Sequence, residues 1–571
     1  MNQQRKGDRG YLDLSLWVPK NRINVAGVKA ALTFEYLEGK DRVPTPLPLY
    51  KETEDHLLVP REFWNAGTFD FELVDMRPSA YARSPVRSRI ALDHRKTATG
   101  VLEPTGKDLQ HRALDAMMRA RGGILQLACG KGKTVIFLEL IARLGVPGLI
   151  VVDNTNLMEQ WARAIDDFLE VPGGVGLIQA DVFDWQKWVV LATYQTLANR
   201  AASFPEEVRR WFGVIGWDEA HHVNAPTFSR SADMFYGRRY GLTATPKRDD
   251  GLHVIHQFNF GDVVYKDLKQ DLTPRIVFRY TGLELNLHDP QVVEDTHSVH
   301  GELHLSKLAS YFGKWKERRD FVFNLIREKH QEGRKILVLS TSIGELVNLL
   351  SLYSGSRDLY TDLSVTPEEV GETLPGIKID PDALTRLIQT LAGLEEALEA
   401  AQTEEEKQRL QAMLSAYETA AQQGEVFKKL RKLLRKKQSA FIKSTLQQKN
   451  DAGLMIHKVD PALRMKMLRE KDITFAIMKY GKEGLDEPTL DTSILLEPVA
   501  SQAMLQQIMG RILRVLAQRT KDPEMIVLED SIPPIRNICE KMRRHLRSWP
   551  IEDGGPYNYE MQGYPIGRRT R

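Results

Sequence analysis

The sequence predicts an α/β protein built from two parallel-sheet domains in tandem, flanked by a small β-rich domain and interrupted by a helical insertion. Three observations carry this reading. Short, continuously apolar runs such as Gly148-Leu-Ile-Val-Val-Asp153 and Lys335-Ile-Leu-Val-Leu-Ser340 recur along the chain with amphipathic stretches between them. Strands buried on both faces of a parallel sheet read as unbroken apolar runs, where half-buried strands alternate. One such run, Leu125-Gln-Leu-Ala-Cys-Gly-Lys-Gly-Lys-Thr134, turns through two glycines into a further apolar segment, and another, Val214-Ile-Gly-Trp-Asp-Glu219, ends in an acidic pair.

At 571 residues the chain is too long for one core, and the usual scale suggests about three or four domains. Apolar content of 42% and charged content of 27% are ordinary for a soluble globular protein. No apolar run reaches membrane-spanning length, and the first residues, MNQQRKGDRG, carry no apolar core, so neither a membrane span nor a signal peptide is expected. Cys129 and Cys539 are the only cysteines, which excludes a disulfide framework and fits a reducing, cytoplasmic compartment. The net charge of +3 announces no polyanionic partner by itself.

Residues 1–95 alternate apolar and polar residues in Tyr11–Val18, Ala31–Tyr36 and Thr68–Leu73, the mark of half-buried strands. A short helix is expected near Asn24, and Pro44, Pro46 and Pro48 mark a loop. Arg77, Arg83, Arg87 and Arg89 form a basic connector that reads either as a phosphate contact or as a solvated linker.

Residues 96–262 form the first α/β domain. An amphipathic helix begins near Lys107, and its Gln110 is placed either to read an adenine edge or as an ordinary surface glutamine. In the loop that follows the next strand, Cys129, Gly130, Lys131 and Gly132 would wrap phosphates with backbone N–H groups at the start of a helix. Lys133 would reach the terminal phosphates and the Thr134 hydroxyl would hold Mg²⁺. Leu127 stands where the generic loop pattern has its first glycine. Trp188–Thr193 is a strand leading into a polar turn at Tyr194-Gln195. Asp218 suits Mg²⁺ binding through its water shell, and Glu219 is placed to orient the water that attacks a γ-phosphate. Tyr240-Gly-Leu-Thr-Ala-Thr-Pro246 ends in two hydroxyls, Thr243 and Thr245, suited to relaying the state of the bound nucleotide.

Residues 263–305 read as a connector. Its histidines, His297, His300 and His304, lack accompanying cysteines or carboxylate spacing, and a solvated loop outweighs a metal site. The second α/β domain spans 306–550, beginning with a basic helix over Leu303–Lys329 and the strand ending at Ser340-Thr341-Ser342. It is interrupted by an insertion over 366–450, where Leu384, Leu387, Leu391, Leu394 and Leu398 form a heptad seam and Lys428–Lys437 a basic arm suited to backbone phosphates. The sheet resumes at Ile473–Met478, followed by Gly484 and Asp486, a strand over Asp491–Glu497, and a helix carrying Arg511 and Arg514 one turn apart on one face. Residues 551–571 form a basic tail.

The Gly-Lys-Thr, Asp-Glu-Ala-His and Thr-Ala-Thr segments occur in the order of motifs I, II and III of superfamily 2 helicases, and the chain resembles that family over about residues 104–530. Thr193 and Gln195 match motif Ib, Thr341 motif IV, Gly484 and Asp486 motif V, and Gln507-Ile-Met-Gly-Arg-Ile-Leu-Arg514 motif VI; Gln110 matches a Q-type motif. The resemblance implies two RecA-like domains with ATP and Mg²⁺ bound between them. In that arrangement Arg511 and Arg514 neutralise charge on the γ-phosphate, Gly484 and Asp486 contact the nucleotide, and Thr193, Gln195, Thr243, Thr245 and Thr341 couple to nucleic acid. Within the family, Ala128–Thr134 and Lys482–Pro488 most resemble the XPB/UvsW-type DNA helicases of microbes and phages. That resemblance implies an ATP-driven motor on forked, branched or duplex DNA in a bacterial or phage-infected cell, with protein partners possible at the N-terminal domain or the insertion. An RNA helicase and a nucleotide-regulated scaffold without turnover are the alternative readings.

Overall fold

The computed structural model describes residues 8–38, 43–64, 70–96, 102–128, 130–219, 231–244, 254–269, 272–297, 303–353, scattered positions between 411 and 446, 451–456, 459–482, 487, 489–513, 521–547 and 549–554. The chain divides into two compact units, Met1–Gln270 and Asp271–Arg571.

The first unit is organised on an eight-stranded sheet. Its strands in chain order are β1 (Gly122–Leu127), β2 (Gly148–Val152), β3 (Gly176–Gln179), β4 (Val182–Phe183), β5 (Val189–Thr193), β6 (Val214–Asp218), β7 (Arg238–Thr243) and β8 (Val263–Asp267). They lie side by side as β4-β3-β5-β2-β6-β7-β1-β8. Every pairing is parallel except that of β3 with β4. Helices α1 (Leu109–Arg119), α2 (Lys133–Leu144), α3 (Thr155–Phe168) and α4 (Tyr194–Arg200) connect and cover them. Alternate residues of one strand go to opposite cores: Leu125 and Leu127 pack with Phe137 and Ile150, whereas Ile124 packs with Val151, Ile215 and Trp217. Both faces are therefore buried, the physical reason for the unbroken apolar runs. Gly216 on β6 leaves room for the ring of Phe137, which would lie 2.4 Å from an added Cβ.

The N-terminal residues form a five-stranded sheet in the order Lys51–Glu52, His56–Val59, Leu16–Pro19, Gly10–Leu12, Leu73–Asp75, beside a hairpin of Thr33–Glu38 with Val43–Pro48. This sheet is fastened to the large one by buried arginines. Arg61 donates to the carbonyls of Tyr236 and Gly237 at 2.9 Å, and Arg239 of β7 donates back to Leu14 O at 2.8 Å. The Phe63 ring packs edge-on against Phe258, 4.9 Å between centroids. Part of the basic connector is absorbed in the same way. Arg77 pairs with Asp75, Arg87–Ser88 pairs as a strand with Leu169–Glu170, and Arg89 donates to Leu169 O. The Arg77 and Arg89 guanidiniums are engaged with protein groups, whereas Arg87 is held through its backbone and stays exposed.

The second unit holds a seven-stranded sheet, parallel throughout. Its strands are β9 (Arg275–Tyr280), β10 (Ile336–Ser340), β11 (Ala452–Met455), β12 (Ile473–Ile477), β13 (Thr492–Leu495), β14 (Glu524–Glu529) and β15 (Ile551–Gly554), ordered β11-β12-β10-β13-β14-β9-β15. Helices α5 (Leu305–Lys314), α6 (Lys316–Gln331), α7 (Ile343–Tyr353) and α8 (Gln502–Ile512) pack on it. The span expected as a connector, 263–305, supplies one strand to each sheet, β8 and β9. Short apolar runs flanked by charge satisfy their backbone groups by joining a sheet, and β15 likewise draws the first residues of the expected basic tail into the fold. The basic helix expected over Leu303–Lys329 is two helices, broken where Trp315 is extended (φ −72°, ψ 100°). The heptad seam of Leu384–Leu398 lies outside the described residues. Of the basic arm only Lys432 and Lys436 are described, both helical and exposed. Among the described residues, no helix is long and apolar enough to cross a membrane.

Because Phe137 is fully buried, Gly216→Ala forces a methyl into a filled core. The expected cost is about 1–3 kcal/mol, seen as a lowered urea midpoint with an unchanged m-value; an unchanged midpoint contradicts the packing described.

Candidate nucleotide-binding site

The carboxyl end of a parallel sheet is where loops converge and ligands bind. In the first unit β7 lies between β1 and β6, so the loop after β1 and the acidic pair after β6 face each other across one strand. Thr243, at the end of β7 and buried, pairs with Gln126 in this gap. Gly130 and Gly132 hold φ values of 82° and 88°, the left-handed region that lets the loop turn its N–H groups inward. Gly132 caps α2, which puts Lys133 and Thr134 in the helix's first turn.

Lys133 Nζ lies 3.1 Å from Glu219 Oε1, and both side chains are largely buried. Glu219 has φ +47°, a left-handed conformation that costs a non-glycine residue about 1–3 kcal/mol. Its N–H donates to Leu242 O at 2.9 Å, so the neighbouring strand holds it there. The strained backbone turns Glu219 toward the loop instead of letting it continue the strand.

Asp218 is buried, and the structure surrounds it with donors that sequence reading missed. Trp161 Nε1 of α3 donates to Asp218 Oδ2 at 2.8 Å, and the Tyr194 hydroxyl donates to Asp218 O at 3.4 Å. Tyr194 opens α4 directly beside Gln195, so a hydrogen bond joins the expected polymer-contact turn to the acidic strand. Burial pushes the Asp218 carboxyl up to about 7, the charge of Glu219 adds to this, and Lys133 and the Trp161 hydrogen bond oppose it. The indole of Trp161 sits in an ordinary helical apolar pattern, which is why its polar role was invisible in the sequence.

The other expected residues divide clearly. The Gln110 amide Oε1 accepts from Asp93 N at 2.7 Å, and Nε2 donates to Lys131 O at 3.4 Å. A Cβ on Gly132 would come within 2.4 Å of that Nε2, so Gln110 braces the phosphate-type loop from behind. Lys131 Nζ pairs with Asp267 of β8 at 3.0 Å, which leaves its backbone as the part in the loop. Thr193 Oγ1 accepts from Thr196 N at 3.3 Å and so caps α4, while exposed Gln195 donates to Asn199. In the second unit Thr341 N donates to Glu497 Oε2 at 3.0 Å, and Arg511 lies on α8. Cys129, Thr245, Gly484, Asp486 and Arg514 lie outside the described residues. The His-rich piece has His297 against Thr296, and no group of three metal-type ligands occurs among the described residues.

Residues 103–248, which contain the whole β1–β7 constellation, match the family described as type III restriction enzyme, res subunit. This stretch is similar to the helicase domains of superfamily 2. Over 176 residues it is 33% identical to a DNA 3'-5' translocase XPB2 of Sulfurisphaera tokodaii, covering 30% of this chain and 38% of that protein. Over 337 residues it is 26% identical to a putative ATP-dependent RNA helicase L396 of Acanthamoeba polyphaga mimivirus, covering 58% of this chain and 60% of that protein. The chain thus spans less than two thirds of the length of either relative. Among solved structures, T4 UvsW superposes over 96% of this chain and 99% of its own, with 13% identity and a TM-score of 0.32. Of the expected site residues, Gly130, Lys131, Gly132, Lys133, Thr134, Asp218, Glu219, Thr243 and Gln110 lie together around the carboxyl end of the first unit's sheet.

Trp161→Phe keeps the ring packing against Phe137 but removes the donor to Asp218. A buried acceptor left unsatisfied costs about 1–3 kcal/mol, so the variant is expected to unfold at correspondingly lower denaturant, and a neutral result contradicts the hydrogen bond.

Proposed function

We propose that the chain is an ATP-driven motor that moves on or remodels DNA. The observation that supports this most is the Lys133–Glu219 ion pair at 3.1 Å beside buried Asp218, placed by β1, β7 and β6 at the mouth of a glycine loop. The N–H groups of Gly130–Lys133 and the positive end of α2 bind the nucleotide's phosphates. On arrival of those phosphates Lys133 exchanges its carboxylate partner for phosphate oxygens, which releases Glu219 to orient the attacking water and accept its proton. Arg511 and Arg514 serve as the arginines that neutralise charge on the γ-phosphate.

The donor set also fits Mg²⁺. Two carboxylates face one ammonium, burial raises Asp218 to about 7, and the oxygens of Asp218 and Thr134 are of the hard kind this cation takes together with phosphates and water. When bound, the ion supplies further positive charge to the phosphate oxygens. Trp161 holds the Asp218 carboxylate in a fixed rotamer for that contact.

DNA is favoured as the polymer because the relative at 33% identity is named a DNA 3'-5' translocase, and a microbial protein named DNA 3'-5' helicase XPB, of Mycobacterium tuberculosis, aligns at 31%. Forked or branched duplexes are the substrates the sequence resemblance suggests. A second reading, an RNA helicase, is supported by the mimivirus relative, whose alignment covers more of this chain. Protein partners at the N-terminal sheet or the insertion belong to the same proposal.

Glu219→Gln removes the base and keeps the shape. It is expected to bind ATP with affinity close to that of the wild type and to hydrolyse it about 10²–10⁴-fold more slowly in single-turnover assays; turnover at the wild-type rate would remove Glu219 from the role. In competition binding at fixed salt, duplex DNA should displace labelled DNA where RNA of equal length does not; the reverse order promotes the RNA reading.

A further inference from the structure

The second unit buries a cluster of carboxylates that the nucleotide chemistry does not use. Arg318 of α6 is fully buried and donates to Asp530 Oδ2 at 2.9 Å, to Glu345 Oε1 of α7 at 2.6 Å, and to Leu496 O. Asp530, beyond β14, also accepts from Thr281 Oγ1 at 2.9 Å. Glu497, beyond β13, accepts from Thr341 N through Oε2 at 3.0 Å. Its other oxygen lies 2.9 Å from Ser340 Oγ, and the same hydroxyl lies 2.7 Å from Glu345 Oε2. Ser342 N donates to that hydroxyl at 2.9 Å.

Ser340 Oγ is thus within hydrogen-bonding distance of two carboxyl groups, and a hydroxyl carries one proton. It can direct that proton at only one of them, and a proton on the other carboxyl lets the hydroxyl accept there. Charge decides which. Glu345 and Asp530 share the Arg318 guanidinium, whereas Glu497 meets a hydroxyl, a backbone N–H and the Glu345 carboxyl itself. Burial drives the Glu497 carboxyl well above the ordinary carboxylate range, and the nearby charge of Glu345 pushes the same way against the pull of Arg318. The proton order is Glu497 Oε1–H to Ser340 Oγ, Ser340 Oγ–H to Glu345 Oε2, with Glu345 held by Arg318.

We propose that Glu497 is a positioning residue that, as a neutral acid, locks the Ser340-Thr341-Ser342 turn through the relay Glu497–Ser340–Glu345–Arg318. The turn leads from β10 into α7 and carries Thr341, which the family resemblance places among the residues that couple to nucleic acid, so the functional half of the inference rests on the proposed function. A neutral acid suits the place. It fixes both the Thr341 backbone and the Ser340 hydroxyl without adding a negative charge beneath a phosphate contact.

The test uses the full-length chain with Glu497→Gln and Glu497→Ala, read by infrared difference spectroscopy and by fluorescence anisotropy with a single-stranded DNA oligonucleotide. At neutral pH the wild type should show a protonated-carboxyl C=O component, beyond that of Asp218, that Glu497→Gln removes. Glutamine can accept from Thr341 N and donate to Ser340 Oγ, so its DNA affinity should stay within about twofold of wild type; Glu497→Ala, which drops both bonds, should lose about tenfold. A spectrum unchanged by Glu497→Gln overturns the neutral acid, and equal loss in both variants overturns the relay. The infrared arm needs no nucleic acid, so a wild-type chain that binds no DNA refutes the polymer reading while the band still decides the relay.

Discussion

Two carboxylates and one ammonium group meet at the carboxyl end of a parallel sheet, and the site described above depends on their being short of positive charge. The insertion of β7 between β1 and β6 sets the separation that Lys133 spans to reach Glu219 at 3.1 Å. Burial and its acidic neighbour raise the Asp218 carboxyl to about 7 against the pull of that single lysine. A polyanion bringing its own cation satisfies both sides of this imbalance: phosphate oxygens take the lysine, and the cation takes the carboxylate. The left-handed backbone of Glu219, held by Leu242, keeps the general-base candidate aimed at the loop before anything binds.

The second unit meets a similar problem in a different way. Its sheet also ends in polar groups at the carboxyl side, but there the acids are buried among themselves with one arginine, and a proton completes the balance on Glu497. The N-terminal sheet shows a third arrangement, in which Arg61 and Arg239 spend their donors on backbone carbonyls and so tie an accessory layer to β7. Each of these arginines donates to groups of its own unit, which makes them mechanical parts of the fold.

The central strands and the glycine loop were legible in the sequence because their physical requirements are local. A strand buried on both faces needs an unbroken apolar run, a loop around phosphates needs residues that tolerate positive φ, and the helix that follows needs its first turn at Lys133. The roles of Trp161, Thr193 and Glu497 were not legible, because each depends on a partner distant in the chain or on one turn of local geometry. Trp161 sits in an amphipathic pattern and meets Asp218 only in three dimensions. Thr193 looks like a polymer contact by motif, yet its hydroxyl caps α4. The connector was misread because β8 and β9 carry charged residues at their ends, so each resembles a loop until a neighbouring strand offers its edge.

The central claim is that this sheet edge drives a motor on DNA. Steady-state ATP hydrolysis by the full-length chain, measured in parallel without polymer and with single-stranded, duplex and forked DNA and with RNA, tests it most directly. The account predicts a low basal rate raised strongly by duplex or forked DNA. Stimulation by RNA alone, or ATP binding with no hydrolysis under any condition, would contradict it.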